Sequence, residues 1–291
     1  MLVLVVVLCE LAPGASAQTT DEHKRVLVLY SNRRDAEFSV VGENELPKIL
    51  DVGLARNLDY YSEFIDVARF PDSSYRVAVG EFVKLKYQGI AFDLVIALGD
   101  VAMEFVDSNR DALFTKTPVV YLANNRDTRI GGEAIGFVAE RRFSDTIHLI
   151  EQLQPDVNRV FVVTGKAPAD QQFERLARVQ FKAFEPRFTF TYLAGLPTTV
   201  LERQLAALPE RSAVYYLLMT EDGAGNKYHP LEFVDRVTMT ANRPTYSWVD
   251  STMGRGVVGG AVYVQKAAIE HFGQLALDVL QGDPKNGSAV S

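Results

Sequence analysis

The sequence contains little cysteine, little histidine and no excess of positive charge, and each shortage excludes a class of function. One cysteine, Cys9, occurs in 291 residues, so no disulfide bond within the chain can stabilise the fold. The four histidines are scattered, and no two have the spacing of a metal site. The formal net charge is -7 and no run rich in Lys or Arg occurs, which argues against a nucleic-acid-binding protein.

Motifs of common hydrolases and nucleotide-binding proteins are also missing. The sequence contains no G-x-S-x-G nucleophile elbow. A G-x-G-x-x-G string occurs at 254–259, but it precedes a predicted strand instead of joining a strand to a helix, so it is not a dinucleotide-binding loop. The segment 222–226 lacks the carboxylate spacing of a calcium loop, and we interpret it as a turn. The sequence therefore predicts no enzyme, no metal site and no cofactor.

The N-terminus carries the pattern of a secretory signal peptide. An apolar run at 2–8 is far shorter than the roughly 20 residues that a membrane-spanning helix needs. Ala15, Ser16 and Ala17 follow as an A-x-A cleavage pattern, although no basic stretch precedes the run. We therefore predict that residues 1–17 are removed near Ala17 and that the exported, periplasmic chain contains no cysteine.

Apolar, β-rich runs alternate with helical patterns along the rest of the chain, which indicates βαβ units and mainly parallel sheets. Two sheets of about five strands suit the length better than one sheet of ten. The expected fold is α/β with two Rossmann-like lobes, and the chain is expected to cross between them near 137–142 and 244–260. Strands are predicted at 26–30, 60–67, 92–98, 118–122, 134–139, 159–164, 188–193, 213–219 and 260–264. Helices are predicted at 45–57, 75–88, 144–153 with Ser144 as N-cap, 170–184, 198–208, 231–242 and 267–280.

The segment at 244–260, PTYSWVDSTMGRGVVGG, is the most informative part of the sequence. In an extended chain the side chains of Tyr246, Trp248 and Asp250 point to the same side. Aromatic rings beside a carboxylate, followed by flexible glycines, favour a small-molecule site. The alternative is a hairpin whose aromatic residues are buried in a core.

Polar side chains follow several predicted strands. Ligands of open α/β sheets bind at the carboxyl ends of the strands, where loops and helix N-termini converge. The residues there combine hydroxyl, amide, charged and aromatic groups, which suits a polar small molecule with an apolar body. The candidate ligand-binding residues are Ser31, Asn32, Arg33, Gly99, Asp100, Tyr121, Thr164, Thr220, Tyr246, Trp248 and Asp250.

Eight short motifs resemble, in order, those of ABC-transporter substrate-binding proteins of the type I periplasmic-binding-protein class. The branch concerned includes the extracytoplasmic sensor regions of histidine kinases. The resemblance implies two lobes joined by a multi-strand hinge, with lobe 1 at 24–137 plus 258–291, lobe 2 at 138–257 and the ligand between them. The motifs are VLVLYS at 26–31, DLVIALGD at 93–100, TPVVY at 117–121, VFVVTG at 160–165, LLMTEDGAG at 217–225, PTYSWVD at 244–250, GRGVVGG at 254–260 and LALDVLQG at 275–282.

The resemblance implies a non-catalytic protein that closes on a small organic ligand, such as an aromatic or amino-acid-like carboxylate. It would present this ligand to an ABC permease or act as the sensor part of a signalling kinase. From the residues we expect Tyr246 and Trp248 to contact the apolar body of the ligand and Arg33 or a helix N-terminus to meet the anion. The alternatives are that Arg33 faces solvent and that Asp250 recognises an amine. The alternatives are an exported α/β hydrolase, with Asp100 and Asp250 as an acid/base pair, and a structural partner of a membrane complex.

One departure from the family concerns the end of the chain. Members usually continue past the last helix to a terminal strand, whereas this sequence ends in a small, polar tail at Ser291. We interpret this tail as the sign of a shortened chain or gene fragment. The choice between a transporter component and a kinase sensor stays open, because the discriminating sequence would lie beyond Ser291.

Overall fold

A computed structural model describes residues 23–66, 69–70, 72–124 and 134–282. Within them the chain forms one five-stranded and one four-stranded sheet, and every strand pair in both sheets is parallel. The predicted α/β fold with two mainly parallel sheets is confirmed. The predicted signal peptide and the tail that ends at Ser291 lie outside the described residues.

The first sheet has the strand order β2-β1-β3-β4-β5. Helices cover both faces of the sheet, so consecutive side chains of a central strand are buried whichever face they point to. The central strands are therefore continuous apolar runs. Helices α1 and α9 pack on one face, and α2 and α3 pack on the other. The elements are β1 (Lys24–Tyr30), α1 (Glu37–Gly53), β2 (Leu58–Phe64), α2 (Ser73–Lys86), β3 (Leu94–Leu98), α3 (Asp100–Ser108), α4 (Arg110–Leu113), β4 (Val119–Ala123), β5 (Ala134–Val138) and, at the far end of the chain, α9 (Gln265–Leu280).

The second sheet has the order β7-β6-β8-β9 and is likewise enclosed by helices. Helices α5 and α6 cover one face, and α7 and α8 cover the other. Its elements are α5 (Phe143–Leu153), β6 (Arg159–Thr164), α6 (Pro168–Phe181) with a 3-10 turn at Lys182–Phe184, β7 (Thr189–Ala194), α7 (Thr198–Leu205), β8 (Ser212–Leu218), α8 (Pro230–Thr240), β9 (Thr245–Tyr246) and a second 3-10 turn at Asp250–Thr252.

The last helix returns to the first sheet. A Cβ atom on Gly273 would lie 3.0 Å from Ile49 in α1, so the missing side chain lets the two helices approach closely. Ile269 and Phe272 of α9 are completely buried in the core that α1 shares. The lobe boundaries proposed from the sequence remain a prediction. In the described part of the chain, no helix combines the length and the apolar character that crossing a membrane requires.

The chain passes from the first sheet to the second at 139–142 and returns at 260–264, and the returning segment runs beside 247–250, which directly follows β9. The Tyr263 N–H donates to the Trp248 carbonyl over 2.7 Å, and the Asp250 N–H donates to the Tyr263 carbonyl over 3.2 Å. A Cβ atom on Gly260 would overlap the Ser247 carbonyl group and lie 2.8 Å from its carbon, so this approach requires glycine. These paired segments form the connection that the sequence predicted near 244–260.

The structure corrects the prediction of a strand at 260–264. The segment forms no strand, and its neighbourhood pairs only through isolated bridges of Gly259 with Tyr246 and of Tyr263 with Val249. Both bridges are parallel, so the hairpin alternative for this region is wrong. The crossing geometry explains the error, because an apolar run that links two sheets resembles a strand of either one.

Two helix starts also differ from the prediction. Helix α1 begins at Glu37, eight residues early, because Gly42 lets the helix sit against Tyr30, whose hydroxyl would lie 2.6 Å from an added Cβ. Helix α5 begins at Phe143 with Arg142 at its N-cap, so Ser144 is not the cap. The segment 222–226 is a turn, as predicted, held by N–H donors from Ala224 and Asn226 to the Asp222 carboxylate.

Candidate ligand-binding site

Side chains from both sheets meet at Arg141, in the first crossing segment. Its Nη1 donates a hydrogen bond to Oδ1 of Asn124, at the end of β4, over 2.6 Å. The guanidinium carbon lies 4.9 Å from the ring centroid of Phe173 and 5.4 Å from that of Trp248, both on the second sheet's side. Asp100 and Tyr263 interact with it electrostatically. We call this group the Arg141 cluster: Asp100, Asn124, Arg141, Phe173, Trp248 and Tyr263.

The first sheet contributes the polar side of the cluster. Gly99 has φ +94°, a left-handed conformation that favours glycine, and it turns the chain from β3 into α3. Asp100 is therefore the first residue of α3, and its Oδ1 accepts the N–H of Asn124 over 2.8 Å. This bond fixes Asn124, whose side-chain amide oxygen accepts a hydrogen bond from Arg141.

The second sheet contributes the aromatic side. The Trp248 Nε1 donates to the Leu217 carbonyl over 2.7 Å, so the ring is held against the end of β8. Its ring packs edge to face with Phe143 and Phe173 at centroid distances of 5.3 Å. Trp248 is only 8% exposed, so little of the ring remains for direct contact with a ligand. It is placed instead to hold the guanidinium of Arg141.

Two predicted residues hold a buried carboxylate. Asp170, near the start of α6, is completely buried and accepts from the hydroxyl and the N–H of Thr220 and from the N–H of Ala167. The Thr164 hydroxyl donates to the Asp170 carbonyl over 3.1 Å. Burial raises the pKa of Asp170 to about 6, although the hydrogen bonds from Thr220 act in the opposite direction. Thr164 and Thr220 thus connect the strand ends of the second sheet.

Three further predicted residues have local partners. The Ser31 hydroxyl accepts the N–H of Ala102 over 2.9 Å and fixes the first turn of α3. Tyr246 is completely buried in the core of the second sheet, and its hydroxyl has no hydrogen-bond partner among the residues that the structure describes. The Asp250 carboxylate accepts the N–H of Gln265 at the start of α9 over 3.1 Å. These three side chains stabilise the frame and do not converge with Arg141.

Arg33 lies at a separate contact between the two halves. Its Nε and Nη2 form an ion pair with Asp35, which raises the pKa of Arg33 and lowers that of Asp35. The carbonyl oxygen of Asp35 lies 3.2 Å from Nε2 of His229, just before α8. Asn32 is exposed beside this contact, and Tyr121 is half-buried within β4.

The cluster contains four residues that are not among the predicted ligand contacts: Asn124, Arg141, Phe173 and Tyr263. A basic residue directly after the fifth predicted strand, where the chain was expected to cross, was the available signal for Arg141. Phe173 and Tyr263 carried no such signal, because an aromatic residue on an amphipathic helix or in an apolar run usually packs a core. Among the described residues, no group of three or more His, Cys, Asp or Glu side chains could hold a metal ion.

Comparison with known proteins identifies the fold and no sequence family. No family model and no curated protein matches the sequence. The chain is similar to an ABC domain in complex with L-Trp from Streptococcus pneumonia, with 16% identity, coverage of 93% and 90% of the two chains and a TM-score of 0.59. The ligand-free, open structure of CD0873, a substrate-binding protein from Clostridium difficile, has 11% identity, coverage of 91% and 89% and a TM-score of 0.63.

A third similar structure is that of a XylFII–LytSN complex, with 8% identity, coverage of 92% and 96% and a TM-score of 0.57. At these identities the comparisons establish the fold alone. The two parallel sheets and the crossing segments form a two-lobed fold of the type I periplasmic-binding-protein class. The fold that the sequence motifs implied is confirmed.

Proposed function

We propose that this protein is an exported, non-catalytic receptor that binds a small organic ligand between its two lobes. One observation carries the proposal: Asn124 from the first sheet and Trp248 from the second both contact Arg141 in a crossing segment. A ligand that binds beside Arg141 would therefore meet side chains from both halves. Such a ligand would favour the closed arrangement by the difference between its affinities for the closed and the open state.

The two-lobed fold supports the same function. The similarity extends over 93% of this chain for the ABC domain in complex with L-Trp and over 91% for the substrate-binding protein CD0873. We propose lobe 1 at 24–137 plus 258–291 and lobe 2 at 138–257. Asp100 and Asp250, the acid/base pair of the hydrolase alternative, each accept a backbone N–H, and no contact between them favours that alternative.

The downstream partner follows from the same class of protein. We propose delivery of the ligand to an ABC permease or transmission of the closed state to a membrane-bound kinase module. The likeness to an ABC domain supports the first partner, and the sequence resemblance to kinase sensor regions supports the second. Reading the gene beyond the codon for Ser291, together with its neighbours, distinguishes the two.

A thermal-shift screen tests ligand binding. The panel contains amino acids, aromatic and aliphatic carboxylates, amines, sugars and divalent metal salts. A ligand present at 100 times its Kd stabilises the folded state by about 2.7 kcal/mol. For a chain of this size we expect the Tm to rise by roughly 5 °C. Stabilisation by metal salts alone, or by no compound at all, would contradict the proposal.

Export is tested separately. The full chain, expressed in a Gram-negative bacterium, is recovered from the periplasmic fraction and its N-terminus is sequenced. We expect the mature chain to begin at Gln18, after the A-x-A pattern. An intact N-terminus in the cytoplasmic fraction would show that the chain is not exported.

A further inference from the structure

Arg141 is a half-buried cation with too few acceptors among the described residues. A guanidinium has five N–H donors, and within the described part of the chain this one donates a hydrogen bond only to the neutral amide oxygen of Asn124. Its Nε is buried and has no hydrogen-bond partner among the described residues. Burial lowers the pKa of Arg141, while electrostatic interaction with Tyr263 and Asp100 opposes that change. An unpaired donor on a charged group is costly to keep away from water.

Two other cations at the carboxyl ends of the strands are paired. Arg33 forms its ion pair with Asp35 through two nitrogens. Lys166, after β6, lies 3.3 Å from a carboxylate oxygen of Glu221. Arg141 differs from both, because among the described residues no carboxylate lies within ion-pair distance of its guanidinium. Arg141 lies in the crossing segment, where side chains of both sheets meet.

The aromatic rings that contact Arg141 leave its N–H groups available to bind a ligand. Phe173 and Trp248 stand nearly perpendicular to each other, with an interplanar angle of 78°, and the guanidinium lies against both. Cation–π contact holds the group in place without using its hydrogen-bond donors. A planar guanidinium fixed in this way presents its donors in the geometry that matches a carboxylate.

We propose that Arg141 binds the carboxylate of an organic acid and that Phe173 and Trp248 are positioning residues for its guanidinium. The inference rests on the proposed function, and it names the chemical class of the ligand. Arg141 then replaces Arg33 as the residue that meets the anion. A ligand carboxylate would complete the hydrogen bonds of Arg141 and neutralise its charge. The unpaired N–H donors of Arg141 destabilise the ligand-free site because they are kept away from water. A bound carboxylate would remove this cost and so stabilise the closed state.

Matched ligands test the class of ligand. Binding is measured by isothermal titration calorimetry at pH 7.5 with indole-3-acetate, indole-3-acetamide and tryptamine. The corresponding sets built on phenylacetate and hexanoate are measured in the same way. We expect at least one acid to bind at least tenfold more tightly than its amide and its amine, because only the carboxylate forms charge-assisted hydrogen bonds.

Variants of Arg141 test the residue. We expect R141Q to weaken binding of that acid at least tenfold. The affinity of R141K should lie between those of R141Q and the wild-type protein, because lysine keeps the positive charge but lacks the paired N–H donors of the guanidinium. Phe173→Leu is expected to weaken binding of the acid several-fold and to leave binding of the amide unchanged. R236Q is the control, since Arg236 pairs with Glu202 outside the cluster. If circular dichroism shows that R141Q is unfolded, the comparison of R141K with the wild-type protein decides the question.

Each remaining outcome overturns a different statement. An acid that binds R141Q and R141K as tightly as the wild-type protein overturns the role of Arg141 and leaves the proposed function standing. Tighter binding of an amine than of its acid overturns the carboxylate class, as does binding of only neutral or cationic compounds from the wider panel. If no compound binds, the proposed function fails together with this inference.

Discussion

The Nε2 of His229 and the backbone oxygen of Asp35 lie 3.2 Å apart and join the two halves of the molecule. The Nδ1 of the same imidazole accepts the N–H of Leu231 at the start of α8 over 3.3 Å. Since Nδ1 is an acceptor, the ring proton is on Nε2, which therefore donates to Asp35. One neutral histidine thus caps a helix of the second half and bonds to a loop of the first.

Replacing His229 should shift the protein toward an open arrangement. Asparagine at this position can still cap α8, but it is too short to reach Asp35. We expect H229N to lose one hydrogen bond, about 1 kcal/mol, which corresponds to roughly a fivefold shift of the open–closed equilibrium. Small-angle X-ray scattering should detect a larger radius of gyration without ligand. H229A should show the same shift and also lose about 1 kcal/mol of stability with the cap. An unchanged radius in both variants would contradict the prediction.

Alanine at Gly260 should be much more harmful than alanine at Gly259. A Cβ on Gly260 would overlap the Ser247 carbonyl group, whereas a Cβ on Gly259 would have no neighbour within 4 Å. We expect G260A to lower the free energy of unfolding by about 3 kcal/mol and G259A to change it by less than about 1 kcal/mol. Urea unfolding of the two adjacent variants measures the difference. Equal stabilities would mean that the crossing segments are not packed as described.

Tyr246 and Trp248 should differ in what their polar groups contribute. The Tyr246 hydroxyl is buried without a partner, so Y246F should keep the stability or raise it by up to about 1 kcal/mol. Trp248→Phe leaves the Leu217 carbonyl without its donor and should cost about 1–3 kcal/mol. Thermal unfolding measures both changes. Ligand affinity should be unchanged in Y246F; a tenfold loss would restore Tyr246 as a ligand contact.

Asp170 should make the folded state less stable as the pH rises from about 4 to 6. Its folded pKa, about 6, lies above the ordinary value of 3.8, so the folded state holds this proton more tightly than the unfolded state. The resulting stabilisation is complete below the unfolded pKa and is lost as the pH passes the folded pKa. Two pKa units correspond to about 3 kcal/mol.

Asp170→Asn isolates this contribution, because its side chain does not titrate. Urea unfolding at several pH values gives the free energy of unfolding as a function of pH. Between pH 4 and 6 this free energy should fall for the wild-type protein relative to D170N. Other carboxylates are common to both curves. Among them is Asp222, whose pKa is lowered by hydrogen bonds from Thr198 and Asn226 although burial opposes this. Parallel curves would show that Asp170 titrates at the same pH in both states.

The elements of the fold were largely predictable because buried parallel strands leave a strong pattern. The strand at Arg159–Thr164 matches its prediction at both ends, since an apolar run bounded by polar residues has few alternatives. The start of α1 was not predictable from local sequence. Its first turns depend on the contact of Gly42 with Tyr30 in a neighbouring strand. The prediction of a strand at 260–264 was wrong for the same reason, because the residues that this crossing segment contacts are distant in sequence.

The candidate site was less predictable than the fold. Position after a strand predicts Asp100 and Trp248 as site residues, because that rule depends only on chain direction. Both lie in the Arg141 cluster, and their contact with a ligand stays a prediction. The rule could not say which side chains point into the junction. Tyr246 and Trp248 are two residues apart, yet one lies wholly in a core and the other holds Arg141. Only the packing of α6 and the crossing segment separates these roles.

The return of α9 to the first sheet has a consequence for the order of folding. Leu46 and Leu50 of α1 are completely buried in a core that includes Ile269 and Phe272, more than 200 residues later in the chain. The second sheet and its helices, in contrast, are continuous in sequence between Phe143 and Tyr246. A chain that emerges N-terminus first therefore completes its second unit before its first. Until α9 emerges, α1 keeps an uncovered apolar surface, so this is the stage at which a chaperone is most needed.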